Sequence, residues 1–480
     1  ALRFRVVRSA MVALISGSDT AFMLVCTGLV QLMTPGLAFF YGGLVRHKNT
    51  LTMMSQNFVS MGVTSILWVA FLFSMCFGES WGQFFGNPIT FMGFSNVSST
   101  APLTKGASGG VTAKISGMLF AFYQCMFAVI TPALMTGAFA DRLRYVPWLA
   151  LLVLWLIFVY CPWCHMVWGG GYFAAQGVWD FAGGIVVHIT AGFSALACIF
   201  ALGRRHVQDG QTQEDMDSPH SVPLVFLGTA LLWFGWFGFN CGSALGSNGV
   251  ATVAGWNSQI AAAAAMSMWA LLDWVVKGKP GLVSKCVGAI AGLATVTPCA
   301  GYIQPGMALL LGLIAAPVCY SCVLLLNKLG FDDALDVWGV HGMGGFLGTC
   351  LLGLLADGSD CASIHSAPAS CVNPGTVVAS WMQFRLQCQA AVACAIYSFA
   401  VSFVIVKVVG LFTRLTPTAE EQGDLDAHTH GEAAYTSGDV ALYTPRTNGE
   451  MALYTPRTPI IASDAKALSE DGDDSSDDEE

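Results

Sequence analysis

Charge is what this chain has least of. Only 11% of its 480 residues are charged, while 55% are hydrophobic; a soluble domain carries about 25% charged residues. That deficit excludes a water-soluble globular domain. A net charge of −9 excludes a nucleic-acid binder, which needs a basic surface. Much of the acid is set apart in the final segment, SEDGDDSSDDEE, which reads as a solvated tail. Enzyme motifs are lacking too. The chain contains no GxxxxGK[ST], no HExxH and no GxSxG, so neither catalysis nor a cofactor is expected. GGGYFAAQG (169–177) is glycine-rich but has no Lys to hold a phosphate. A signal peptide with a cleavage site is also missing.

Cysteine is plentiful, at 16 residues, but falls mostly singly inside apolar stretches, as at Cys26, Cys76, Cys198, Cys350 and Cys394. These read as small buried hydrophobes. Cys161 and Cys164 form a CxxC with no second pair near it, so a zinc site is not expected. Cys361 and Cys371 share a loop where a disulfide fits.

A membrane-spanning helix needs about 20 apolar residues. Eleven segments qualify: 20–45, 50–78, 114–139, 146–168, 181–202, 221–241, 250–273, 284–300, 304–327, 336–356 and 376–411. The fold class is therefore an all-α polytopic membrane protein. Arg46 and Lys48, Arg142 and Arg144, Arg204 and Arg205, Lys277 and Lys279, then Lys328, Lys407 and Arg414 fall in alternate loops. The positive-inside rule puts those loops in the cytoplasm, with the N-terminus outside and the C-terminus inside. The sequon Asn96-Val97-Ser98 then lies outside, as glycosylation requires. Arg3, Arg5 and Arg8 run against this orientation and are outvoted.

Eleven segments divide as five, five and one, which makes the two groups of five an inverted repeat. Two histidines echo across it: His188 in DFAGGIVVHITAGFSALACIF and His341 in DALDVWGVHGMGGFLGTCLL. An ionisable group at membrane depth marks a functional site by default. Each lies beyond an Asp read as opening its segment, Asp180 and Asp336. At 1.5 Å per residue, His188 lies ~12 Å below Asp180 and His341 ~7.5 Å above Asp336. Both can reach the middle of a ~30 Å core and meet there. Two unrelated structural histidines remain the alternative.

Glycines and aromatics alternate in PGLAFFYGGL (35–44), VWGGGYF (167–173), WFGWFGFNCGS (233–243) and VHGMGGFLG (340–348). Glycine lets helices pack closely. Phe127, Trp168, Trp236 and Phe239 fall near the outer ends of their segments or deeper. They suit an interfacial belt or a vestibule that attracts a cation to aromatic faces. Ser243 could there accept a hydrogen bond from an ammonium-like solute.

On these residues the chain resembles the ammonium transporters of the Amt/Mep type over roughly 20–435. DFAGGIVVHITAGFSAL followed by Arg204-Arg205 is similar to that family's signature. So are MTPGLAFFYGGLVR, FAVITPALMTGAFADRLR, CPWCHMVWGGG, WFGWFGFNCGSA, GAIAGLATVTPCAGYI and DDALDVWGVHGMGG. The resemblance implies eleven transmembrane helices as an inverted 5+5 repeat plus a final helix, one pore per protomer, and a homotrimer in the plasma membrane. Trp168, Ser243, Phe127 and Tyr123 would form an outer recruitment site, shaped by Asp180, which also suits a helix cap. Phe127 and Phe239 would be the gate. His188 and His341, beside Trp236, would line the pore. The family's Phe-x-x-x-Phe pair is Tyr123 and Phe127 here.

The resemblance also divides the chain: 1–19 an extracellular segment, 20–413 the transport domain, 414–435 a cytoplasmic regulatory tail and 436–480 a disordered acidic tail. GLFTRLTPTAEEQGDLDAHTHGEAAY (410–435) is similar to tails that reach a neighbouring protomer in plant-type members. Where those carry a regulatory Thr this chain has His428, with Thr429 beside it. ALYTPRT occurs at 441–447 and 452–458, and Thr444-Pro445 and Thr455-Pro456 read as sites for a proline-directed kinase or as spacer. The function implied is transport of ammonium and methylammonium, with NH4+ deprotonated and NH3 crossing. The alternatives are an ammonium sensor signalling through the tail, and a channel for neutral NH3 or CO2.

Overall fold

The computed structural model describes residues 15–103, 114–207, 210, 212–357, 379–435, 442–445 and 451–454. The loop holding Lys105, the pair Cys361 and Cys371, and the end of the acidic tail lie outside them. Eleven helices are long and apolar enough to cross a membrane: α1 Gly17–Leu44, α2 His47–Phe77, α3 Gly117–Phe139, α4 Tyr145–Ala175, α5 Gly184–Leu202, α6 Val222–Gly242, α7 Gly249–Lys277, α8 Leu282–Cys299, α9 Pro305–Lys328, α10 Trp338–Leu355 and α11 Trp381–Phe412. They are the eleven segments of the sequence, shifted by a few residues. Two short helices follow, α12 Ala419–Gly423 and α13 Leu425–His430. Polar side chains set the starts. Ser16, Ser116, Ser221, Asn248 and Ser380 each accept a backbone N–H from the first turn of α1, α3, α6, α7 and α11, relieving donors that have no intrahelical partner.

The two groups of five run in opposite directions, as close approaches at glycine show. Along α1 and α6, Gly43 faces Ser221 and Val225, Gly36 faces Gly228 and Leu231, and Met33 faces Gly235. One numbering falls as the other rises, so the helices are antiparallel. The same holds for α5 and α10: Gly192 lies against Gly342, and His188 against Gly345. Each of these glycines stands four residues after a histidine. α3 and α8 both end in a 3-10 turn, Thr136–Phe139 and Thr297–Cys299. α11 stands outside the repeat and is tied to it by Gln387, whose side-chain amide bonds the N–H and C=O of Trp179.

A Cβ on Gly192 would sit 2.2 Å from Gly342 Cα, with backbone on the far side that cannot turn away. Gly192→Ala is expected to force α5 and α10 apart and cost about 1–3 kcal/mol. Gly62 in α2 has nothing within 4 Å of such a Cβ, so Gly62→Ala should be neutral. Thermal unfolding of both variants in detergent checks this; equal melting points would contradict the packing described.

Large apolar side chains cover the outside, among them Phe58, Ile66, Val275, Leu411 and Phe412. Two regions depart from expectation. The segment after 436, expected to be disordered, contains an antiparallel pairing of β1 Leu442–Pro445 with β2 Met451–Tyr454. Both strands come from the repeated ALYTPRT, rich in strand-forming residues. The fourteen cysteines described are all free, most of them buried. Cys161 Sγ lies 3.5 Å from Cys76 Sγ, and among the described residues no group could hold a metal ion.

Candidate functional site

The polar residues at membrane depth converge on one lane between the two halves. At the end opposite the basic loops it begins beside Trp168, the last residue of the main α4 turn. Trp168 is partly exposed, and its Nε1 donates to the Asp180 carbonyl at 2.8 Å, which fixes the indole plane. Ser243 closes α6. Its hydroxyl donates to the Phe239 carbonyl at 2.9 Å, leaving its lone pairs free to accept. Tyr123 is fully buried, with its hydroxyl 2.8 Å from the Phe239 carbonyl and 3.4 Å from Ser243 Oγ. It braces Ser243 from behind.

Below this mouth the lane is shut by two rings. Phe127 and Phe239 have centroids 4.4 Å apart at 42°. Trp168 meets Phe127 edge-on at 5.6 Å, and Tyr123 does so at 5.0 Å. The histidines lie beneath. His188 is parallel to Phe239 at 6.2 Å, to Trp236 at 5.6 Å and to His341 at 5.3 Å. Trp236 is held by its Nε1 donating to Thr297 Oγ1 at 3.0 Å.

The two Nδ1 atoms are 3.3 Å apart. Between neutral rings that contact holds one hydrogen, so the histidines adopt complementary tautomers. Each then has its Nε2 left as donor in one ring and acceptor in the other. The His188 Nε2 is enclosed and has no protein partner among the described residues. The cavity there is walled by Met33, Leu37, Ile130, Leu134, Leu232 and Ile290 with the aromatics, and is barely wide enough for one water-sized molecule. A bare cation finds almost no oxygen ligand in it; a small neutral molecule finds a hydrogen-bond partner.

Local backbone explains how both rings reach one axis. α5 opens with a π-helical turn, Gly184–Ile189, and α10 with another, Trp338–Gly342. Each carries its histidine, and a π turn redirects the side chains it contains. Asp180 secures the first. Its Oδ1 accepts from the Gly183 and Gly184 N–H groups at 2.9 and 2.6 Å, and its Oδ2 from Ile185 and Val186 at 2.8 and 3.1 Å. With four donors on it and 1% exposure, Asp180 positions the helix and does not reach the mouth. The corresponding acid of α10 is not Asp336, as the sequence suggested, but Asp333, whose Oδ2 accepts the Trp338 N–H at 2.8 Å. Asp336 turns away because its backbone is left-handed, φ 58°.

The basic end is knit by buried ions. Arg205 binds Asp332 at 2.7 Å and Asp217 at 2.5 Å, and Arg142 approaches Asp332 at 3.6 Å. Burial alone would raise the Asp332 carboxyl; hydrogen bonds from Arg205 outweigh it and hold the group below the usual range. The tail packs on this end of its own chain. Thr418 and Glu421 form a capping box that starts α12. The Gln422 amide pairs with the backbone of His206 in both directions, at 3.0 and 2.9 Å. Its carbonyl accepts from Asn49. Asp426 accepts the N–H groups of Leu51 and Thr52 at 2.9 and 2.7 Å, capping α2. Tyr435 bonds His220. Thr429 is exposed. The resemblance had implied a contact with the next protomer; the contacts described here are all intrachain.

Sequence reasoning brought together His188, His341, Trp236, Phe127, Phe239, Tyr123, Trp168 and Ser243, and one lane contains them all. It missed Gly192, Gly345, Asp333, Thr297, Gln422 and Asp426. The repeated His-x-x-x-Gly was the legible signal for the two glycines.

A bundle with inverted halves and a gated lane between them defines a membrane transport protein for a small solute. A sequence profile described as the Ammonium Transporter Family matches residues 21–435, and the chain belongs to that family. It is 42% identical over 419 residues to "Ammonium transporter" of Bacillus subtilis, covering 87% of this chain and 98% of the relative. Among solved structures it is similar to Candida albicans Mep2, at 32% identity and TM-score 0.76 over 86% of this chain and 88% of the other. It is also similar to a chain titled "Sensor Amt Protein", at 25% identity and TM-score 0.74 over 86% and 98%.

Proposed function

We propose that this protein carries ammonium by recruiting NH4+ at Trp168 and Ser243, removing its proton, and passing NH3 between Phe127 and Phe239 to His188 and His341. The observation that carries the reading is the 3.3 Å contact between two histidines in an apolar lane beneath a cation-attracting mouth. Ammonium is overwhelmingly charged at neutral pH, and an unsolvated cation in such a lane is expensive. K+ of similar size cannot shed its charge, so it is turned away. The lone pairs of Ser243 take an ammonium N–H, while Trp168 and Phe127 offer faces and edges around it. Tyr123 and Asp180 hold those parts in place. The paired tautomers supply one donor and one acceptor to NH3, and exchange of the shared proton gives H+ a relay. Trp236 walls the lane.

The basic end faces the cytoplasm of a plasma-membrane homotrimer, and methylammonium is a second substrate. Residues 414–435 act as a regulatory tail, and those from 436 onward as a separate tail open to a kinase or regulatory protein. A second reading, an ammonium sensor, draws on the likeness to the chain titled as a sensor. It keeps the same mouth but needs little flux.

Trp168→Leu tests the mouth. A cation–π share of ~1–2 kcal/mol makes the half-saturating ammonium concentration rise about five- to thirtyfold, with maximal rate retained. An unchanged concentration dependence in isotopic uptake would remove Trp168 from the site.

A further inference from the structure

At the basic end the lane gives onto a cavity of about 1730 Å³, counting its open mouth, between the 203–219 loop and the ends of α7, α8, α9 and α10. Most of the charge on its walls is already paired. Asp332 lies between Arg142 and Arg205, and Asp217 is on Arg205. Lys277 is bound to Asp273 at 3.0 Å, and Arg204 donates to the Gly330 carbonyl at 2.6 Å. Asp333 and Asp336 are left. Asp333 is 6% exposed. Its Oδ2 caps α10, but its buried Oδ1 has no partner among the described residues. Asp336 follows in a turn closed by its own N–H on the Asp333 carbonyl at 3.2 Å, and its left-handed backbone keeps its carboxylate on the same cavity wall. Its carboxylate enters none of the ion pairs above.

Two carboxylates without cations, three residues apart on a wet wall, are costly alone and favourable with a cation between them. We propose that Asp336, with the free oxygen of Asp333, forms an inner cation site of ammonium size. The proposal rests on the transport reading above. His341 is five residues beyond Asp336, or ~7.5 Å of helix. NH3 leaving the imidazole takes a proton from water at the cavity, NH3 + H+ → NH4+. The ion is then held by charge-assisted N–H···O bonds until it is released. In the reverse direction the same site collects NH4+ before its proton is lost.

Asn and Gly both tolerate the left-handed backbone at this position, so Asp336→Asn and Asp336→Gly remove the charge and keep the turn. Thallous ion has about the size of ammonium and scatters anomalously. Crystals of the full chain soaked in a thallous salt are expected to show a peak within hydrogen-bond reach of Asp336, lost in both variants. In vesicles with one protein orientation, methylammonium entering from the basic end should half-saturate at about tenfold higher concentration in both variants, the loss of a charge-assisted hydrogen bond. Entry from the aromatic end should keep its half-saturation. No thallium peak in the unsubstituted protein, or a peak that survives both substitutions, overturns the site. An unchanged half-saturation from the basic end overturns its part in transport. Failure of the transport reading shows differently, as an absence of flux in the unsubstituted protein, and the thallium peak decides the inner site in either case.

Discussion

Methylammonium uptake is expected to fall to background in His188→Ala and in His341→Ala. Each substitution removes one end of the 3.3 Å contact and leaves the surviving imidazole with no shared proton. The enlarged cavity then offers NH3 fewer hydrogen bonds and admits water without a defined place for it. Some stability goes as well. A buried polar group deprived of its partner costs about 1–3 kcal/mol, too little to unfold a bundle whose α1–α6 and α5–α10 contacts are intact. The loss should therefore be one of transport, at unchanged surface level and with a melting point lowered by a few degrees. Surface labelling and thermal unfolding alongside uptake separate the two effects. The double variant should be no worse than either single one, because the pair works as a unit. Uptake near the unsubstituted rate in both single variants would remove the histidines from the path.

The second large effect belongs to the tail. Deleting everything after Thr413 removes Gln422 and Asp426, and with them the bonds that bind His206, Asn49 and the start of α2 to one another. His206 adjoins Arg205, which grips Asp332, and the next residue, Asp333, caps the helix that carries His341. A path of direct contacts thus runs from the tail to the lane. Uptake is expected to drop at least about tenfold, a bias of ~1.4 kcal/mol on an active–inactive equilibrium. The membrane helices should still assemble. Deleting residues from Gly438 onward spares every one of those bonds and should leave uptake unchanged. Equal uptake by the two truncations, at equal surface level, would mean the tail does not couple to the lane in this protein.

The helices were readable because lipid demands long apolar runs, and the histidines stood out because that same demand makes any ionisable group conspicuous. Their meeting could be anticipated from the rise per residue alone. The route by which they meet could not. The π turns at Gly184–Ile189 and Trp338–Gly342 leave no mark in hydropathy, since the run of apolar residues is unbroken through both. Asp333 and Asp336 look alike in DALDVW. Only backbone geometry, a left-handed φ at Asp336, decides which one caps α10. Gln422 and Asp426 act on backbone N–H and C=O groups, which every residue supplies, so nothing in their partners' identities pointed to them. Tyr123 was read as a face at the mouth; its hydroxyl bonds make it a brace.

The central claim is that the lane takes ammonium only by shedding its charge. Its most direct test is flux through the purified full chain in sealed vesicles, with NH4+, methylammonium and Rb+ offered in turn. The account predicts saturable entry of NH4+ and methylammonium, no entry of Rb+ above empty vesicles, and no competition by excess K+. Rb+ entry at a rate comparable to methylammonium would show that a bare cation traverses the lane, and would contradict it.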